Sequence, residues 1–150
     1  MDKGISNKID CSSSLSWTCK KKGKVTFNNP KKGEFEVTVP PEFMGHRDMI
    51  TPEDLFLASV NSCLMSYFLN LCEQTRLKLV SYDAEATDCF TKNGIDFVFA
   101  KVMIDVTICV SSEKDAKKAK RAMNLAAKGC YVANSIKPDV EITHTINVVN

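Results

Sequence analysis

The sequence is sparing with the residues from which metal and nucleic-acid sites are built. It contains only two histidines, His46 and His144, and its seven cysteines include no C-x-x-C pair and no C-x-x-C…H-x-H arrangement. A zinc site needs such ligands clustered, so no metal is expected. Neither sign of charge dominates. The formal net charge of +2 favours neither a nucleic-acid partner nor an acidic membrane surface, and the lysines at 20–24 read as a solvated hairpin turn. No uninterrupted apolar run of membrane length is present either. The most apolar stretch, Leu55–Leu71, is broken by Ser59, Asn61, Ser62, Ser66 and Asn70. A span wants about 20 predominantly apolar residues, so this stretch reads as a buried core helix. Met1–Asp10 is polar, without the apolar segment of a secretory leader. A cytoplasmic, reducing setting is therefore expected, where stable structural disulfides are uncommon. The 150 residues, 44% hydrophobic and 25% charged, suit one globular domain over 1–150, with residues 1–13 as a flexible N-terminal segment.

What is present is a regular alternation of elements. Ser14–Lys20 and Lys24–Asn28 flank a Lys/Gly turn and read as a hairpin. Gly33–Val39 alternates cleanly, with Phe35, Val37 and Val39 on one face, until Pro40-Pro41 ends the ladder. Pro40–Ile50 has no period and reads as an ordered loop. Thr51 as N-cap, Pro52 at the first helical position, and Glu53 and Asp54 in the first turn predict a helix over Pro52–Gln74. It is apolar nearly all round its middle, which predicts enclosure on most sides by a sheet and a helix or by a second subunit. Leu79–Phe90 and Ile95–Val110 read as long strands around Lys92-Asn93-Gly94. Ser112 and Asp115 form a capping-box variant opening a second helix, Ser112–Cys130, whose stripe is Ala116, Ala119, Met123, Ala126 and Cys130. A short turn over Tyr131–Ile136 and a strand over Val140–Val149 complete an α+β order with a mostly antiparallel sheet.

A free cysteine is by default a small buried hydrophobe, so position has to single out the reactive ones. Cys63 stands about three turns into the first helix, beside Asn61, Ser62 and Ser66. A core helix does not need those small polar residues; they point to another helix, a solvent pocket or a site. Cys130 ends the alanine stripe after Gly129. If that stripe packs on the first helix the two sulfurs come within reach, although simple packing accounts for either residue alone. Cys72 is half a turn out of phase with Cys63 and is expected to face away, while Cys11, Cys19, Cys89 and Cys109 have no nominated partner.

Two motifs carry a family resemblance. Thr51-Pro52-Glu53-Asp54-Leu55 followed by Asn61-Ser62-Cys63 resembles the (S/T)-P-E-x-L…C helix of OsmC/Ohr-like proteins. Ala126–Ile136 resembles their second motif, A-x-x-x-C-x-V-S-x-S-L, and Pro40–Gly45 resembles the P-P-E-F-G-G loop of one branch. The resemblance runs from about Ser14 to Val149 and implies an intertwined homodimer that reduces organic hydroperoxides in oxidative-stress defence. It makes Cys63 the peroxidatic and Cys130 the resolving cysteine, assigns Glu53 to the site, and implies recycling by a dihydrolipoyl protein or another thiol, with no bound cofactor. Phe43, Met44, Met65, Tyr67 and Phe68 are candidates to line an apolar substrate pocket, or else simply core.

Two features qualify this expectation. Ten residues of helix separate Glu53 from Cys63 by about 15 Å, so Glu53 is expected to act from an antiparallel copy across a dimer interface, unless it is only a capping carboxylate. The family's peroxidases pair this glutamate with an arginine about ten residues upstream or in an early strand. Here Phe43 holds the upstream position, and Arg47 is the first arginine in the chain. A low peroxidase rate follows if Arg47 does not substitute. The competing reading is a dimeric small-molecule or lipid-binding protein with a redox-sensitive cysteine pair.

Overall fold

The computed structural model describes residues 11–28 and 32–149, so residues 1–10 of the expected N-terminal segment lie outside the described residues. Two compact units are distinguished, one ending at Leu55 and the other beginning at Phe56.

In the first unit, β1 (Ser13–Cys19), β2 (Lys22–Phe27) and β3 (Glu34–Thr38) form an antiparallel sheet in that order. Its register pairs Leu15 with Val25 and Val25 with Phe35, and Trp17 with Gly23 and Gly23 with Val37. Paired residues share a face, so the alternation gathers the apolar side chains on one side of the sheet. That side is poorly covered: Leu15 is 67% and Trp17 75% exposed. The loop after β3 makes a single 3-10 turn, Pro41–Phe43, and Gly45 then passes against the backbone. A Cβ at Gly45 would stand 1.6 Å from the Val39 carbonyl oxygen, so this position admits no side chain.

The first long helix, α1 (Pro52–Thr75), begins as its residues dictate. The Thr51 N–H and hydroxyl donate to Asp54 Oδ2 (2.8 and 3.0 Å), and the Asp54 N–H donates to Thr51 Oγ1 (3.3 Å). This reciprocal box satisfies helix N–H groups that otherwise lack acceptors.

In the second unit, β4 (Leu79–Asn93) and β5 (Asp96–Val110) form a long antiparallel hairpin, and β6 (Asp139–Val148) adds in parallel on the other side of β5. The turn falls one residue later than expected, on Gly94 (φ 68°) and Ile95. The chain thus carries two three-stranded sheets, with one parallel pairing among four. β5 presents Val102, Ile104, Val106, Ile108 and Val110 to the core and polar residues outward. Val60, Cys63, Leu64, Phe68 and Cys72 of α1 and Ala119, Ala122, Met123 and Ala126 of α2 (Glu113–Gly129) complete the core. Ser112 caps α2, its hydroxyl accepting from the Asp115 N–H at 3.1 Å.

The expected enclosure of α1 is not what the chain supplies. By length and composition this helix could cross a membrane, yet only 28% of its most apolar stretch is buried within the chain. Sheet and α2 cover one side, and Ala58, Ser59, Ser62, Met65 and Ser66 stay exposed. The hydroxyls there are turned back onto their own helix: Ser62 donates to the Ala58 carbonyl (2.6 Å) and Ser66 to that of Ser62 (2.8 Å). What remains outward is a smooth face of small side chains.

Cys72 also departs from expectation. Phase set it opposite Cys63, but both are buried in the same core. The reason is that α2 flanks the C-terminal part of α1, where Lys118 Nζ donates to the Thr75 and Arg76 carbonyls (3.0 and 3.3 Å), so the covered side shifts along the helix. Burial pushes the Cys72 thiol from its ordinary value near 9 up to about 11. Because the folded value lies above the unfolded one, this group's contribution to stability is complete below pH 9 and is lost as pH rises toward 11. In urea unfolding, the stability difference between the wild-type chain and Cys72→Ala is therefore expected to shrink steadily over that interval.

Candidate active site

The site is built where the end of α2 meets the middle of α1. Small residues along the α2 stripe let it lie deep in the core, and Gly129 permits the last close approach. A Cβ at Gly129 would stand 2.5 Å from Tyr67 Cζ, well inside contact distance, so the Tyr67 ring occupies the space a side chain would fill. Cys130 follows as the helix C-cap, its N–H donating to the Ala126 carbonyl at 2.9 Å. The chain then turns through Ala133–Ser135, with the Asn134 N–H on the Cys130 carbonyl (3.0 Å) and Asn134 Nδ2 on the Lys128 carbonyl (2.9 Å).

This arrangement brings the two cysteines together. Both are buried free thiols in one core cluster, and Cys63 bears on the ionisation of Cys130. Burial raises the Cys130 thiol above its ordinary value, and the N–H groups of Ala133 and Val132, directed at its sulfur, only partly offset this. The contact with Cys63 also favours the protonated form of Cys130.

An open groove of about 370 Å³ between α1 and β4 is lined by Ala58, Asn61, Ser62, Met65, Tyr82, Asp83 and Ala84, with neither cysteine in its lining. Asn61 Nδ2 donates to the Ala84 carbonyl (3.3 Å), tying α1 to the free edge of β4. Of the anticipated pocket residues, Met65 lines this groove, Phe68 is fully buried against Tyr82, and Tyr67 is committed to Gly129. Tyr82 is a site residue that sequence reasoning missed. Its hydroxyl is buried without a hydrogen-bond partner among the described residues, and its phenol is pushed up to about 12 by burial and by the neighbouring Cys130 charge. The available signal was a tyrosine heading the inward positions Tyr82, Ala84 and Ala86, where alanine otherwise suffices.

Glu53 and Arg47 belong to the first unit. Glu53 Oε2 is buried and accepts no hydrogen bond from the described residues, while Arg47 is exposed in its loop. α1 is unbroken from Pro52 to Thr75, so the helical spacing that separates Glu53 from Cys63 stands. Among the described residues no cluster of three or more His, Cys, Asp or Glu side chains could hold a metal ion.

With this geometry in view, the comparisons with known proteins are informative. The family model described as OsmC-like protein matches residues 45–145. No curated protein matches the sequence. Among solved structures, an OsmC-like protein of unknown function from Vibrio cholerae is similar at 20% identity and TM-score 0.81, covering 92% of this chain and 100% of that one. An organic hydroperoxide resistance protein from Elizabethkingia anophelis is similar at 21% identity and TM-score 0.70, covering 97% and 100%. A Legionella pneumophila structure described as an organic hydroperoxide resistance protein OsmC has 16% identity and TM-score 0.69, covering 93% and 98%. At these identities the likeness is one of fold.

The close approach at Gly129 has a direct consequence. Gly129→Ala is expected to lower stability by about 1–3 kcal/mol through overpacking and to slow oxidative coupling of Cys63 to Cys130. Adding Tyr67→Leu, which removes the obstructing ring atoms, restores the coupling. Thermal unfolding and a gel-shift assay of the diamide-oxidised chain measure the two effects.

Proposed function

We propose, from the premise that the chain belongs to the OsmC-like family, that it is a cysteine-based peroxidase reducing alkyl or lipid hydroperoxides in a reducing, cytoplasmic setting. The observation that carries this reading is the pair of buried free thiols, Cys63 and Cys130, gathered in one core cluster. An attacking sulfur must be a thiolate, and the family resemblance assigns that role to Cys63. The Cys63 thiolate attacks the terminal oxygen of the hydroperoxide. The S–O bond forms, the O–O bond breaks, and the leaving alkoxide takes a proton to become an alcohol. Cys63 is left as a sulfenic acid. Cys130 then forms the S–S bond, the S–O bond breaks, and the oxygen leaves as water. An external dithiol reduces the disulfide by exchange and is itself oxidised. No bound cofactor enters any step.

The working unit in this reading is a homodimer. Support comes from the smooth uncovered side of α1, from the exposed apolar sheet face at Leu15 and Trp17, and from Glu53 Oε2, a buried acceptor without a donor among the described residues. Glu53 of a second copy supplies the carboxylate that its own helix carries too far from Cys63. Organic rather than inorganic peroxide is the substrate class in this reading; support comes from Ala58, Met65, Ala84 and the Tyr82 ring, which line the α1–β4 groove together with Asn61, Ser62 and Asp83.

One observation favours a different reading, a dimeric small-molecule or lipid-binding protein with a redox-sensitive pair: Arg47, the first arginine in the sequence, is exposed in its loop. Anaerobic thiol titration before and after one equivalent of cumene hydroperoxide separates the two. Loss of two thiols per chain, abolished by Cys63→Ser, supports the peroxidase; an unchanged thiol count overturns it. Glu53→Gln is expected to slow Cys63 oxidation by about tenfold, the scale of one hydrogen bond to a charged group. Stopped-flow fluorescence of Trp17 or competition with a peroxide dye reads that rate.

A further inference from the structure

We propose that this chain associates head-to-tail with further copies of itself, the basic outward side of α2 in one copy docking on the acidic outward face of the β4–β5–β6 sheet in the next. The inference goes beyond the peroxidase reading and does not depend on it. The first ground is a like-charge contact on that sheet. β5 turns Val102, Ile104 and Val106 to the helices, so the residues between them face the other way. There the register sets Glu85 directly across from Asp105, with Thr143 beside Asp105 on β6. Carboxylates directly opposite in an antiparallel pair repel and destabilise the sheet. Asp105 accepts from the Thr143 hydroxyl (2.9 Å), and Lys101 pairs with Glu141 instead. No cation among the described residues pairs with Glu85 or Asp105.

The second ground is the complementary excess on α2. The helix carries six cations against Glu113 and Asp115, an excess of four on a chain whose net charge is +2. Asp115 is buried and pairs with Lys118 at 3.7 Å. No carboxylate among the described residues pairs with Lys114, Lys117, Lys120, Arg121 or Lys128, all of them exposed. Lys117, Arg121 and Lys128 follow helical spacing along the side opposite the buried alanines.

The two surfaces match in length as well as in sign. Lys117 to Lys128 spans about 17 Å of helix axis. Glu85, Asp105, Glu141 and Asp139 step diagonally across the three strands. At ordinary strand spacings that diagonal is also about 17 Å long. A depression of about 220 Å³ on it is lined in part by Glu85, Asp105, Glu141 and Met103. Leu125, 55% exposed among the cations of α2, offers an apolar contact to Met103, itself 41% exposed. Because α2 packs on the inner face of the sheet, the two surfaces of one copy point in opposite directions. The contact is therefore heterologous, and it closes into a ring or continues as a filament.

Sedimentation velocity of the full chain tests this, under reducing conditions so that the exposed Cys11, Cys19 and Cys89 do not link copies. At about 0.02 M salt the average mass is expected to rise with concentration to about twofold or more its value at about 0.5 M salt, where screening is strong. Lys117→Glu/Arg121→Glu and Glu85→Lys/Asp105→Lys should each keep the high-salt mass at low salt. An equimolar mixture of the two should regain the growth, because the unaltered sheet of one meets the unaltered helix of the other. Circular dichroism checks that both variants fold. Should either fail, Lys117→Gln/Arg121→Gln or Glu85→Gln/Asp105→Asn replaces it, with the same loss expected. Equal masses at both salt concentrations in the wild-type chain overturn the proposal. So does growth that persists in both variants, or a mixture that does not regain it. If the wild-type mass stays low while polyglutamate binds it and not Lys117→Glu/Arg121→Glu, the helix serves an outside acidic partner and self-association is overturned.

Discussion

The contact between the Tyr67 ring and the bare Cα of Gly129 is the constraint on which the site depends. A helix ending in the core normally carries its last side chains outward or leaves a gap. Here the missing side chain lets α1 and the end of α2 approach until an aromatic ring fills the space. Cys130, the next residue, is thereby delivered to Cys63 without a loop to carry it. Well-packed cores resist small displacements, so a pair positioned by such a contact is held more firmly than one positioned by loops.

Much of this was legible in the sequence, for identifiable reasons. Both long helices announced their starts through capping residues, and the boxes at Thr51–Asp54 and Ser112–Asp115 form as the residue types require. The alternation of β5 between valine or isoleucine and polar residues fixed which side meets the helices. The pair itself stood out only through two motifs taken together, since simple packing accounts for either cysteine alone. What could not be read was direction in three dimensions. Helical phase set Cys72 apart from Cys63, yet α2 covers the far end of α1 and draws Cys72 into the same core. Nor could periodicity show that α1 would be covered on one side only, because its outward serines hide their polarity in bonds to their own helix.

The same helix links the fold to the proposed second copy. Its composition is that of an enclosed element, but its covering within the chain is partial. Serine hydroxyls satisfied by the i−4 carbonyl cost little to remove from water, so the face they leave is suited to close packing. Glu53 makes the complementary case from the start of the helix, with a buried oxygen that finds no donor among the described residues. A dimer built on this helix would address both deficits, and it is the arrangement that ten residues of helical rise demand if Glu53 is to serve Cys63 at all.

The division of labour between the sulfurs follows from their surroundings. A resolving thiol that ionised too easily would compete for oxidant, and two adjacent thiolates would repel each other inside a core. Burial and the neighbouring Cys63 both favour the protonated form of Cys130. In the proposed reading, oxidation of Cys63 to the sulfenic acid removes that neighbour's influence on Cys130. The backbone N–H groups of Val132 and Ala133 remain in place to receive the new charge. In that reading the oxidation of Cys63 is itself what frees Cys130 to attack, and the electrostatics of the pair set the order of events.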